Sequence, residues 1–398
     1  MPTLKRDLTV EQKRSRGPMD LPFLMLVVML TAIGVITVFS ASFPTAVSEG
    51  WKDGPYHYFI RQAMFAAAGI VAMYFVSKIN YQAFRWMSVF VLCAAIAMLV
   101  IVLFFHTKRT DNVKRWIPLG PLTFQPSEAA KLGVILYFSA RMSKRQSEKK
   151  RQYDLRTPKG VMFNWMEDVG LMELVPYVAI LGVIAILMYL EPHLSGTILI
   201  FVAAAAILFA GGIKLRWFGI GIVCVGILAM LMLQGYQSAR IVTWRDPWSD
   251  PSDRGFQIIQ SLYSIGSGGL FGLGFGQGRQ KQGFLPEAEN DFIFSVWCEE
   301  MGLVGACIVL ILFMLLIIRG YWIALHARDR FGALLVVGIT TLMAAQVFLN
   351  ISVVTNLLPT TGISLPFFSY GGTALMIQLA EMGIVLGVSR QIPAPKQG

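Results

Sequence analysis

Leu285-Pro286-Glu287-Ala288-Glu289-Asn290-Asp291-Phe292-Ile293-Phe294 is the point where a polar loop gives way to a long apolar run. Three carboxylates stand at the mouth of that run, and the only acids early within it are Glu299 and Glu300. A charge at the edge of hydrocarbon is costly to desolvate, so it holds a partner or performs a task. The polar stretch between Gln234 and Met301 also carries Arg240, Arg245, Arg254, Arg279 and Lys281. Acids among cations at a membrane surface suggest proton transfer beside an anionic substrate.

The rest of the chain has the same texture. Of its 398 residues, 55% are hydrophobic and 14% charged, against roughly a quarter charged in soluble domains. This composition implies an all-α, polytopic membrane bundle. A span needs about 20 apolar residues, and ten segments qualify: 21–42, 59–77, 84–106, 124–142, 171–190, 194–212, 217–234, 292–318, 331–356 and 369–389. Residues 1–20 read as a basic cytoplasmic tail, 21–389 as one membrane domain with a long extracellular loop at about 235–291, and 390–398 as a second tail. No short apolar region followed by a small-residue cleavage site precedes Leu21, so the first span reads as uncleaved.

With a cytoplasmic N-terminus, 22 Lys and Arg fall inside, 11 fall outside, and Lys131 lies within a span. The positive-inside rule then places both termini in the cytoplasm. The net charge of +11 is thereby a topology signal, and it argues against nucleic acid as a partner. Cys93, Cys224, Cys298 and Cys307 lie in apolar stretches without disulfide or metal spacing. The long loop alternates turn residues with amphipathic pieces such as Phe256 to Ile265, which predicts short helices lying on the membrane surface.

Four blocks carry candidate chemistry. Lys114-Arg115-Trp116-Ile117-Pro118-Leu119-Gly120 is followed by Phe124-Gln125-Pro126-Ser127-Glu128-Ala129-Ala130-Lys131. Pro126 suits a first helical turn, and Glu128 and Lys131 then share a face. Lys131 either meets a phosphate or sugar oxygen while Glu128 holds it, or the two form a structural ion pair. The second block runs from Arg245-Asp246-Pro247-Trp248 through Gly268-Gly269-Leu270-Phe271-Gly272-Leu273-Gly274-Phe275-Gly276. No strand precedes these glycines and no Lys-Ser/Thr follows, so a tight turn against the bundle is preferred over a phosphate loop. Arg279 and Lys281 then offer contacts for a pyrophosphate. The third is the acidic mouth. Asp291 lies nearest the membrane and is followed by Phe-Ile-Phe, so partial burial would favour a general base. The alternative is a cap for a helix starting at Phe292, since Asp is a favoured N-cap. The last is Asn350, Asn356 and the interrupted stretch from Leu358 to Gly372, which reads as irregular backbone lining a polar cavity. Its hydroxyls, Ser369 among them, could bind a sugar. The four His share no ligand-like spacing.

Taken in order, RWI, QPSE..K, DP..D..G.Q..QSL, GG..G.G.G, LPE, DFIF and LP.TG..LPF.SYGG resemble the SEDS (shape, elongation, division and sporulation) family over nearly the whole chain, and the FtsW/SpoVE branch most. The resemblance implies ten spans in a bacterial plasma membrane. It implies a peptidoglycan glycosyltransferase that polymerises lipid II at the outer face, for division, shape or sporulation. The implied partners are lipid II, a class B penicillin-binding protein and other divisome or elongasome proteins. The family's catalytic aspartate falls on Asp291 and its Glu–Lys pair on Glu128 and Lys131. The chain departs from the pattern at Glu289-Asn290 and at Glu191-Pro192-His193-Leu194-Ser195-Gly196-Thr197, where the family's aspartate is missing, so no function is carried to that turn.

On this reading Asp291 takes the proton of a sugar 4-hydroxyl, and the oxygen attacks the anomeric carbon of a lipid-linked glycan. Undecaprenyl pyrophosphate leaves. Lys131, Arg115 and Lys281, with a divalent cation (Mg or Mn) as a further candidate, would meet its charge. Trp116, Arg245, Glu128 and Ser369 complete the expected substrate contacts. The rivals are a lipid II flippase and a non-catalytic division scaffold.

Overall fold

The computed structural model describes residues 17–51, 53–104, 115–119, 122–144, 162, 170–191, 193–221, 243–252 and 255–392. They form two units, one from the residues up to Ala83 together with those from Gln234 onward, the other from Phe84 to Leu233.

The first unit contains α1 (Leu21–Glu49), a 3-10 turn (Gly54–Tyr56) and α2 (His57–Lys78). It resumes with α7 (Phe256–Ser267), α8 (Ile293–Leu325), α9 (Arg330–Val354) and α10 (Gly372–Ser389). The helices α1, α2, α8, α9 and α10 are long and apolar enough to cross a membrane, as are the helices Gln82–Val102 and Leu171–Leu190. Lipid supplies no hydrophobic drive between helices, so close approach depends on small residues. Gly383 on α10 lies where a Cβ would be 2.6 Å from the Met73 carbonyl oxygen of α2. The end of the unit that carries Asp20 is held by charge. Asp20 caps α1 by accepting from the Phe23 amide and pairs with Arg319 of α8 at 2.9 Å. Asp329 caps α9 and takes further bonds from Tyr81 and Gln82.

The second unit contains most of α3 (Gln82–Val102), a two-stranded hairpin (β1 Ile117–Leu119, β2 Leu122–Phe124), α4 (Pro126–Lys144), α5 (Leu171–Leu190) and α6 (Leu194–Ala210). Pro126 occupies the first turn of α4 as expected, but the hairpin takes over residues 117–124. The helix α4 carries Glu128, Lys131, Arg141 and Lys144, and α6 has 17 residues. Neither therefore counts as a span on length and composition alone. Of the expected span 217–234, residues up to 221 are helical and the rest lies outside the described residues.

The described part of the long loop is tied to the helix that follows it. It packs α7 along α8, with Ser261 Oγ 2.7 Å from Ser295 Oγ and Ser264 Oγ donating to the Ser295 carbonyl. The glycine run then meets α8 at Gly302, whose φ of 65° and ψ of −167° interrupt the helix. At about 1.5 Å per residue, Gly302 lies about 14 Å along α8 from its start. The break frees the carbonyls of Glu299 and Glu300 and the amides of Leu303 and Val304. Leu273 and Gly274 donate to those two carbonyls, and the two amides donate to Gly269 and Leu270. The orphaned helical bonds are thus replaced one for one, which non-helical backbone at membrane depth requires. Glycines permit the approach, because a Cβ on Gly272 would lie 2.1 Å from the Glu300 oxygen. The expectation of a tight turn against the bundle holds.

Candidate active site

Asp291 occupies the last turn before α8, partly buried, at the end of the re-entrant loop. The helix starts at Ile293 with Phe292 as its N-cap, so Asp291 stands one residue before the cap position. Its backbone is gripped from two sides. Asn350 of α9, 1% exposed, donates through Nδ2 to the Asp291 carbonyl at 2.8 Å and to the Ile363 carbonyl at 2.7 Å. On the other side the turn after α9 wraps residues 289–291. Ser369 Oγ donates to the Asn290 carbonyl at 2.7 Å, and the Tyr370 amide donates to the Glu289 carbonyl at 2.9 Å. Gln62 of α2 holds this turn through the Ser369 carbonyl and the Gly371 amide.

Within the turn, Gly362 has φ +68°, and a Cβ there would lie 3.2 Å from Asp291 Oδ2. A larger residue would press on the carboxylate, so glycine keeps the space beside it open. Neighbouring acids sharpen the electrostatics. Burial pushes the Glu289 carboxyl above its usual range, and the charges of Glu287 and Glu49 push the same way.

Two expected substrate contacts have other employment. Lys281 is 4% exposed, its Nζ 2.6 Å from Glu300 Oε1 and 2.7 Å from Ser40 Oγ. It ties the loop to α8 and α1, and a pyrophosphate would have to displace Glu300 to reach it. Ser369 Oγ is likewise spent within the clamp, donating to Asn290 and accepting from the Leu365 amide at 2.7 Å. Glu299 is buried and accepts from the amides of Arg279 and Gln280. Arg245 is exposed beside Trp244, whose indole donates to the Asn356 carbonyl at 3.1 Å.

In the second unit, Glu128 Oε2 and Lys131 Nζ lie 2.6 Å apart on α4, both buried. Arg115 reaches the Glu191 carbonyl through Nε at 3.4 Å, with Trp116 partly buried next to it. The turn between α5 and α6, to which no function was carried from the resemblance, holds two buried titratable groups. Glu191 is fully buried, and neither carboxyl oxygen has a hydrogen-bond partner. Burial pushes it up to about 8, against the pull of Arg115. Burial pushes His193 down to about 3, helped by Arg115 and Lys131. A charged residue at the end of an apolar span was the available signal. Among the described residues, no three His, Cys, Asp or Glu side chains group as metal ligands.

The model of the FtsW/RodA/SpoVE family, described as a cell cycle protein family, matches residues 21–393. A protein named probable peptidoglycan glycosyltransferase FtsW from Geobacter sp. (strain M18) is 37% identical over 376 residues, covering 94% of this chain and 97% of the relative. Stage V sporulation protein E of Bacillus subtilis (strain 168) is 37% identical over 375 residues, covering 93% and 97%. Among solved structures, a chain of a peptidoglycan synthase complex that coordinates polymerization and crosslinking superposes with a TM-score of 0.72 at 26% identity, covering 96% of this chain and 99% of that one. The rod shape determining protein RodA of Thermus thermophilus gives a TM-score of 0.62 at 25% identity, covering 95% and 98%. With apolar spanning helices, a matched family model and relatives alike along nearly their whole length, this chain is a multi-pass membrane protein that belongs to the FtsW/RodA/SpoVE family.

Proposed function

We propose that this protein is a peptidoglycan glycosyltransferase that polymerises lipid II at the outer face of the plasma membrane, with Asp291 as its general base. The observation that carries the reading is the setting of Asp291. Its backbone is fixed by Asn350, it stands one residue before the N-cap of α8, and a glycine keeps the adjoining space open. A sugar hydroxyl is a weak nucleophile at neutral pH, and a placed carboxylate typically contributes 10²–10⁴-fold. Asp291 takes the proton of the acceptor 4-hydroxyl, the oxygen bonds to the anomeric carbon of the lipid-linked donor, and undecaprenyl pyrophosphate leaves with the bonding pair.

The charge on that leaving group calls for fixed cations. Lys131, oriented by Glu128, and Arg115 are the residues proposed for it, and exposed Arg245 is a candidate at the rim. A divalent cation would supply further charge neutralisation on the pyrophosphate oxygens. The charge asymmetry across the spans supports cytoplasmic termini and an outward acidic mouth, and the likeness to a chain of a peptidoglycan synthase complex supports a class B penicillin-binding protein as the crosslinking partner. The test is to supply purified lipid II to the purified protein, with and without that partner, and to resolve the products by length. Glycan strands are the expected product. Unchanged lipid II under both conditions would overturn the reading.

A further inference from the structure

We propose that Trp51, Tyr58 and Tyr370, arranged around the Glu49 carboxylate, form a binding platform for an N-acetylhexosamine of the acceptor, next to Asp291. The proposal deepens the glycosyltransferase reading and rests on it. Tyr370 follows the serine that clamps Asn290, and its amide is bonded to the Glu289 carbonyl. Its ring meets the Tyr58 ring edge to face, centroids 4.9 Å apart. Tyr58 Oη donates to Glu49 Oε2 at 2.6 Å, and Trp51 Nε1 donates to the same oxygen at 2.5 Å. Trp51 in turn stacks on His57, centroids 4.1 Å apart and nearly parallel. A continuous path of contacts therefore runs from the candidate base to an exposed carboxylate ringed by aromatic groups.

This combination suits a pyranose. A sugar ring has an apolar C–H face and polar edges, so it pairs with an aromatic face and a hydrogen-bond acceptor together. An ionised carboxylate makes the stronger kind of bond to a hydroxyl or amide N–H. The bland alternative is an interfacial aromatic belt, where Trp and Tyr send their polar tips toward lipid headgroups. Here two tips converge instead on one protein carboxylate, which fixes both rings. Trp51 nevertheless remains 39% exposed and Glu49 is exposed. Tyr58 and Tyr370 are half-buried, and their rings are held in contact. Tyr56 supplies the contrast, being 51% exposed at the same end of the unit and stacked on Phe39.

The test uses the full chain in detergent and a soluble β-1,4-linked N-acetylglucosamine tetrasaccharide, which carries no lipid or phosphate, with binding measured by calorimetry. Wild type and Asp291→Asn should bind alike. Trp51→Ala and Tyr370→Ala should each weaken binding at least tenfold, Tyr58→Phe several-fold with its ring retained, and Tyr56→Ala not at all. No binding by wild type, or equal binding by wild type and every platform variant, would overturn the platform. So would a loss in Tyr56→Ala as large as in Trp51→Ala, which is the behaviour of a membrane belt. Tetrasaccharide binding that follows this pattern in a protein unable to polymerise lipid II would leave the platform standing and remove the polymerase reading.

Discussion

Asn350 holds Asp291 by its backbone rather than its carboxylate, one Nδ2 donating both to the Asp291 carbonyl and to the Ile363 carbonyl. One side chain on α9 thus fixes the distance between the turn before α8 and the turn after α9. Replacing Asn350 by Ala leaves two carbonyls short of a donor, at about 1–3 kcal/mol for a buried unsatisfied group. The variant should insert and remain folded with a lowered melting temperature, while polymerisation falls at least tenfold. Wild-type turnover in Asn350→Ala would show that the grip has no bearing on catalysis.

The Lys281–Glu300 pair makes the opposite forecast. Removing one partner of a buried pair strands a charge, at about 3–5 kcal/mol. Lys281→Ala should therefore lower the melting temperature sharply, and the Lys281→Met, Glu300→Gln double variant should recover most of it. Any polymerase that stays folded should keep its KM for lipid II. A raised KM with unaltered melting would return Lys281 to the substrate site.

For Glu128 and Lys131 the same stability argument applies, with a different functional outcome. Lys131→Ala should lose activity and stability. The double variant Glu128→Ala, Lys131→Ala should melt higher than either single variant and remain inactive. Activity in that double variant would make the pair purely structural.

Glu191 and His193 give stability opposite slopes with pH. A carboxyl pushed up to about 8 keeps its proton in the folded chain while the unfolded chain loses it near 4.5, so stability falls as pH rises across that window. A His pushed down to about 3 stays neutral when folded, whereas the unfolded chain takes up a proton below about 6.5, so stability also falls on acidification. Glu191→Gln should remove the alkaline slope, giving a higher melting temperature than wild type at pH 8 and a similar one at pH 5. Parallel melting curves across pH for the two proteins would contradict the assignment.

What the sequence disclosed follows from what each signal depends on. Apolar runs of about 20 residues mark spans without reference to anything else, so α5 begins and ends where its hydropathy does, at 171 and 190. The depth of the glycine loop was not legible, because 292–318 reads as one unbroken helix. The break at Gly302 exists only through bonds to Leu273, Gly274, Gly269 and Leu270. Lys281 read as a contact for a pyrophosphate because its partners, Glu300 and Ser40, are distant in the chain. Ser369 looked like a ligand because a hydroxyl in sequence does not show which carbonyl it already serves. Asp291 was legible as a candidate from its place at a span mouth. The helix start at Ile293 puts Phe292, not Asp291, at the N-cap.

The central claim is that Asp291 accepts a proton. Asn fills the same space and caps a helix about as well, but it cannot take the proton. Purified Asp291→Asn, matched to wild type in melting temperature and partner binding, should polymerise lipid II about 10²–10⁴-fold more slowly, while Glu287→Gln and Glu289→Gln change the rate far less. Polymerisation by a well-folded Asp291→Asn protein at near the wild-type rate would contradict the account.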